Sequence, residues 1–145
     1  MYTGLLHTHS TIRYIVLLAL IIVVVASLVG WLNRKPFTAT NNRLSLILFI
    51  ATHTQLLVGL ILYFVSPFVK FGSTTMSDKM TRYWTVEHIF GMLIAVVLIT
   101  LARSTSKRMS DDNAKHKRMF IFNFVALLVI VTMILFSDRK LIGFL

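Results

Sequence analysis

The chain contains no cysteine. That absence removes disulfides, iron–sulfur clusters, thiolate-ligated haem and covalent c-type haem attachment, so any metal must be held by His, Glu, Asp or Met. Charge is also scarce: 14% of residues are charged, against about a quarter in soluble proteins. Proline occurs twice, at Pro36 and Pro67. Each follows a long apolar run, where it stops a helix. Met1-Tyr2-Thr3-Gly4-Leu5-Leu6 has neither a basic n-region nor a small-residue cleavage site, so the N-terminus reads as retained rather than as a signal peptide.

What is abundant is apolar. Hydrophobic residues make up 57% of the 145 residues, and mean hydropathy is +0.80. The expectation is an integral membrane protein with one domain over 1–145, all-α. Four spans are predicted at about 14–32, 44–65, 83–102 and 119–136, each near the roughly 20 residues that cross a bilayer core. The first ends at Gly30-Trp31 before Asn33-Arg34-Lys35-Pro36, and its helix begins before the apolar part, with His7, His9 and Arg13 in its first turns. Asn41 and Asn42 are candidate caps for the second. Asp111 and Asp112 suit the first turn of the fourth. The fourth span carries no ionisable residue and reads as lipid-facing packing, closed by Asp138-Arg139-Lys140. The Phe68 to Met80 loop is the longest irregular segment and is placed over the bundle mouth. Short connections imply an up-down-up-down four-helix bundle.

Net charge is +10. The cations cluster at the ends of apolar runs, where they set topology and meet anionic lipid. There is no Arg-rich helix face or aromatic–basic interleaving, which excludes nucleic acid as a partner. Arg34, Lys35, Arg43, Arg103, Lys107, Arg108, Lys115, Lys117 and Arg118 stand against Arg13, Lys70, Lys79, Arg82, Arg139 and Lys140, nine to six. That bias puts both termini outside in a multi-pass protein of the bacterial cytoplasmic (inner) membrane.

Five histidines stand in this apolar background. An ionisable group inside a membrane is a functional candidate by default, and imidazole is the usual axial ligand of b-type haem when cysteine is absent. His9 and His88 both lie near the starts of their spans. Arg13, one turn from His9, is a candidate partner for a haem propionate. Gly91, one turn from His88, leaves room for a ring. His88 follows Tyr83-Trp84, an aromatic pair of the kind found at membrane boundaries. Counting back 22 residues from Trp31 to His9 and 15 from Arg103 to His88 leaves a depth mismatch of roughly 10 Å. It closes if the third helix continues past Arg103 to about Lys107. If Arg103 marks the interface, His53 is the better partner for His88. His53 with Gln55 is otherwise an interhelical hydrogen-bonding pair, and Gln55, Gly59 and Tyr63 share one helix face. His7 and His116 flank the membrane as solvated or lipid-facing groups. Glu87 points about 100° from His88. It is the candidate acid/base, with Tyr83 or Arg82 as neighbours.

Leu6-His7-Thr8-His9-Ser10 with Arg13-Tyr14, Thr52-His53 with Gln55-Leu56-Leu57 and Gly59-Leu60, Val86-Glu87-His88, and Lys115-His116-Lys117-Arg118 carry a resemblance across nearly the whole chain. It is to short bacterial four-helix membrane proteins labelled "cytochrome b". More distantly, His9 with Arg13, Gln55 to Gly59, and His88 resemble, in that order, one half-bundle of haem A synthase. That resemblance implies His9 and His88 as axial ligands. Three residues separate His9 from Arg13 here, and Leu5 and Leu6 stand where that family has a catalytic Glu, so it implies haem binding rather than haem hydroxylation. A four-helix haem-dependent protoporphyrinogen oxidase family shares the layout, but its Lys after the third-helix His is replaced here by Ile89 to Met92.

The leading expectation is one haem b, serving electron transfer or haem handling, in a redox carrier rather than a stand-alone catalyst. His9 and His88 are the axial ligands, His53 the alternate, and Arg13 and Gln55 line the cofactor. A quinone or a larger respiratory complex is the expected partner. Three other readings stand beside it: a non-catalytic accessory subunit, a membrane enzyme acting on a porphyrin or quinone, and a non-haem metal site of His7, His9 and His88.

Overall fold

The structure, a computed structural model, describes residues 1–137; Asp138-Arg139-Lys140 lie outside the described residues. Four long helices carry the fold: α1 (Tyr2–Leu32), α2 (Ala39–Val65), α3 (Lys79–Ser106) and α4 (Asp112–Phe136). Each is long and apolar enough to cross a membrane. The shortest has 25 residues, about 38 Å of helix against a hydrocarbon core of about 30 Å. There is no strand among the described residues.

The starts of α2, α3 and α4 are set by capping side chains rather than by where the apolar runs begin. Thr38, not Asn41 or Asn42, caps α2. Its hydroxyl accepts from the Asn41 amide at 3.3 Å, while Asn41 Oδ1 accepts from the Thr38 amide at 2.9 Å, a reciprocal capping box. Asp111 caps α4 by accepting from the Ala114 amide at 2.9 Å. The helix therefore starts at Asp112, two polar turns before the apolar run. Asp78 caps α3, accepting from the hydroxyl and the amide of Thr81. These bonds favour the ionised form and hold its carboxyl below the usual range.

Helix α1 ends in a Schellman turn. Lys35 N–H donates to Gly30 C=O at 2.9 Å and Arg34 N–H to Trp31 C=O at 3.4 Å. That puts Arg34 at φ 50°, in the left-handed region. A β-carbon is disfavoured there and glycine is not. Arg34→Gly is expected to stabilise the fold by about 0.5–1 kcal/mol, read as a raised thermal midpoint. An unchanged or lowered midpoint would contradict the strain argument.

Helix α1 packs on α2 and α4, and α3 packs on α4; α2 and α3 meet more loosely. The tight interfaces are built from small residues. Ser27 and Gly30 of α1, Ala95 and Ala102 of α3, and Ala126 of α4 are buried, letting the helix backbones approach closely. Helix α4 gives one face to the core and leaves Ile121, Val125, Leu128 and Leu135 exposed on the other. His116, Met119, Asn123, Ala126, Ile130 and Ile134 recur at three- and four-residue spacing and are all buried. Fully buried Asn123 returns its amide to the Met119 carbonyl of its own helix at 2.9 Å. The ends pair in register: Arg103 Nη1 donates to Asn42 O at 3.2 Å and Ser45 Oγ at 3.0 Å, and His116 sits against Gly30.

His116 corrects the sequence reading. It is 1% exposed, neither solvated nor lipid-facing. Its Nε2 lies 3.3 Å from the Pro36 carbonyl, its ring is 5.2 Å from that of Phe37, and its edge fills the space left by Gly30.

Candidate functional site between His9 and His88

Near its start α3 departs from α-helical geometry. Tyr83–Glu87 forms a π-helical stretch, with the His88 amide bonded to the Tyr83 carbonyl. Such stretches widen the helix by one residue and recur at functional sites. Tyr63 of α2 donates to the Thr85 carbonyl inside this stretch at 2.6 Å. The Lys70 amide donates to Thr85 Oγ1 at 2.9 Å, and Thr75 Oγ1 donates to the Lys70 carbonyl at 2.8 Å. The 68–80 segment is thereby fastened over the bundle mouth, and Phe68 and Val69 line the cavity beneath it.

Beneath that segment, His9 of α1 and His88 of α3 converge across the bundle. Their ring centroids are 6.4 Å apart and their planes are inclined by 71°. The depth mismatch closes as the sequence required, because α3 runs past Arg103 to Ser106. Both rings line a cavity of about 180 Å³ whose wall is overwhelmingly apolar. The cavity occupies the loose α2–α3 seam, where Gln55, Leu56 and Gly59 of α2 face it.

Each histidine is held from behind. Gln55 Nε2 donates to the His9 backbone carbonyl at 2.8 Å, pinning α1 to α2 at the level of the site. The His9 ring lies over Gly59, where an added Cβ would come within 3.0 Å of Cε1. Tyr83 is 5% exposed, packed inside the bundle. Its hydroxyl donates to the Met133 carbonyl at 2.6 Å. With its proton committed there, its oxygen is left to accept from His88 Nδ1, 3.4 Å away. A His88 protonated on Nδ1 presents Nε2 as the lone-pair nitrogen, the arrangement a ligating imidazole needs. Trp84 packs on the same ring at 5.2 Å.

The remaining sequence candidates fall in and out of this site. Arg13 lines the cavity; its guanidinium donates to the Tyr14 hydroxyl at 3.0 Å and lies over that ring. His53 is outside. Nδ1 faces the Phe49 carbonyl at 2.8 Å, the ring stacks on Phe49 at 4.1 Å, and Nε2 is 3.4 Å from Thr100 Oγ1. Thr100 is three helical turns beyond His88, so His53 and His88 do not meet; His53 toward Thr100 and Gln55 toward His9 each bond across a helix interface, as the interhelical reading of the two expects. Glu87 is not among the cavity-lining residues; it bonds Arg82 Nε at 3.0 Å on the half-exposed side. Gly91 faces Met133, whose Sδ would lie 2.6 Å from an added Cβ. It serves the α3–α4 approach and makes no room for a cofactor. His7 is exposed, and no group of three or more His, Cys, Asp or Glu residues able to hold a metal forms among the described residues. A His7–His9–His88 site is therefore not assembled.

Comparison with family models, curated proteins and solved structures finds no match.

The chemistry of the site follows from its donors. Two imidazoles on opposite sides of one first-row metal ion, each bonded at about 2 Å, have centroids roughly 6.3 Å apart. His9 and His88 stand at that separation. Two ligands leave four positions unfilled on a six-coordinate iron, which suits a metal already held in a macrocycle. The enclosed volume is below the 300–1,000 Å³ of ordinary ligand pockets, so the loose α2–α3 seam would have to open further to take a porphyrin.

Proposed function

We propose that the chain is a multi-pass protein of the bacterial inner membrane, an up-down-up-down bundle that holds one haem b between His9 and His88 and works in electron transfer or haem handling. The observation that carries this reading is the 6.4 Å approach of two histidines from α1 and α3, helices that do not share a principal interface, inside an apolar cavity. The pairing of Arg103 with Asn42, and of Gly30 with His116, supports the alternating helix directions. The cation bias then puts both termini and the 68–80 segment outside.

A bound haem would supply a one-electron couple, and this chain's residues do the rest. His9 and His88 present ring nitrogens, Tyr83 sets the His88 tautomer, and Gly59 leaves space beside His9. Arg13 is one turn along the same wall, where it can turn from Tyr14 to a propionate. Phe68, Val69 and Trp84 keep water from the outer side. A quinol or a partner subunit would exchange electrons at the seam. Protein purified from haem-replete cells is expected to show a Soret band and, on reduction, the α band of bis-imidazole haem. A colourless preparation would sink the proposal and favour a non-catalytic accessory subunit.

Tyr83→Phe removes the acceptor of His88 Nδ1 without changing the ring. It is expected to weaken haem retention by about 10- to 100-fold, the usual effect of losing such an orienting partner, with the bis-imidazole spectrum preserved in the fraction still loaded. Unchanged retention in a competition with apomyoglobin would remove Tyr83 from the site.

A further inference from the structure

At the opposite end of the bundle, the starts of α2 and α4 and the end of α3 surround a second cavity of about 320 Å³. Three cationic residues line it, Arg103, Lys107 and Lys115, and no carboxylate does. Among the described residues the one ion pair is Arg82–Glu87, at the other end of the bundle. The three cations therefore have no acidic partner there. Arg103 is fixed in place through Nη1, which donates to Asn42 and Ser45. Its remaining guanidinium N–H groups are not used in these bonds. Lys115 Nζ lies 5.4 Å from the Phe37 ring centroid at the edge of the cavity. The hydroxyls of Thr38, Ser45 and Ser106 are also in the wall.

Like charges gathered in one cleft repel unless an anion sits among them, and the attraction for that anion grows as the cleft excludes water. A guanidinium fork beside two flexible ammonium groups suits a phosphate, which accepts bidentate bonds from Arg and point-charge contacts from Lys. The volume takes a headgroup and not a whole lipid. The position selects the source, because the cleft lies at the ends of three apolar helices, level with the headgroups of a bilayer they would span. It is also the end where the Lys and Arg bias points to the cytoplasmic leaflet, which carries anionic lipid. We infer that this cleft is a binding site for the phosphate of an anionic phospholipid. The inference rests on the membrane reading and not on haem.

The test uses the full chain purified in a neutral detergent and then reconstituted in phosphatidylcholine nanodiscs, whose formation checks the membrane reading separately. Phosphatidylglycerol, phosphatidylcholine and inorganic phosphate are offered in turn, with bound lipid read by native mass spectrometry and stability by the thermal midpoint. Wild type is expected to prefer phosphatidylglycerol over phosphatidylcholine by roughly tenfold to thirtyfold, the effect of two lysines near a membrane surface. The Lys107→Gln/Lys115→Gln variant should lose that preference, while Lys70→Gln/Lys79→Gln, equal in charge change at the other end, should keep it. A rise in midpoint with inorganic phosphate, abolished by the first variant alone, would support the same phosphate site with a free anion as its source. No preference in wild type, or an equal loss in both double variants, overturns the proposal.

Discussion

Preparations of His88→Ala are expected to lose the bis-imidazole spectrum, with haem retention at least about 100-fold below wild type, beyond what loss of an orienting partner alone costs. His9→Ala should behave in the same way, because the two rings face each other across one cavity. Neither ring is part of the buried apolar core, so helix content by circular dichroism should stay near wild type. That separates loss of a ligand from loss of the fold. Added imidazole should restore a low-spin spectrum in the alanine variants, since truncation opens a hole of the ring's shape beside the lone-pair nitrogen of the remaining histidine. His53→Ala is the counter-test. Its ring is stacked on Phe49 and bonded along its own helix, so the spectrum should not change. Loss of the bis-imidazole signature in His53→Ala, with retention in His9→Ala, would reverse the assignment.

Gly30→Ala is expected to be the most damaging alanine substitution among the described glycines. An added Cβ would sit 2.5–2.6 Å from three atoms of the His116 ring. That ring cannot easily retreat: it is buried, flanked by Phe37 and close to the Pro36 carbonyl. Overpacking of this kind costs about 1–3 kcal/mol, and helices α1 and α4 would have to part at a tight interface. Gly91→Ala makes a nominally similar clash with Met133, but there the obstacle is a flexible thioether that can swing aside, so the cost should be smaller. Adding His116→Ala to Gly30→Ala should recover part of the loss, the non-additivity expected of residues in contact. Chemical denaturation in micelles reads all three. A Gly30→Ala midpoint equal to wild type would show that the ring is freer than its burial implies.

The number of long helices and their approximate limits were legible because apolar runs of bilayer length are a strong signal. The limits missed where capping side chains decide them, as Asp111 starts α4 well before its apolar run and Thr38 supplants the two asparagines. The convergence of His9 and His88 was legible from their shared nearness to span starts, given a third helix that continues past Arg103. Histidine environment was not. Nothing local distinguishes buried His116, among Lys115, Lys117 and Arg118, from a solvated one; its burial depends on a glycine 86 residues away on another helix. Tyr83 was illegible for a different reason. Five residues apart on a regular α-helix, Tyr83 and His88 face well away from each other, and only the π-helical stretch brings hydroxyl and ring together.

That stretch gives the site an unusual relation to chain length. Removing one residue from the middle of a helix ordinarily rotates everything beyond it by about 100°. Between Tyr83 and Glu87 a deletion would let the backbone relax to a plain α-helix with its hydrogen bonds intact. Tyrosine and histidine would then stand four residues apart on a plain α-helix, still on one face, so the helix and the contact would both survive. The stretch thus absorbs one extra residue without turning the two ends of α3 against each other, and the gene could lose that residue while the bundle and the tyrosine–histidine pair both stood.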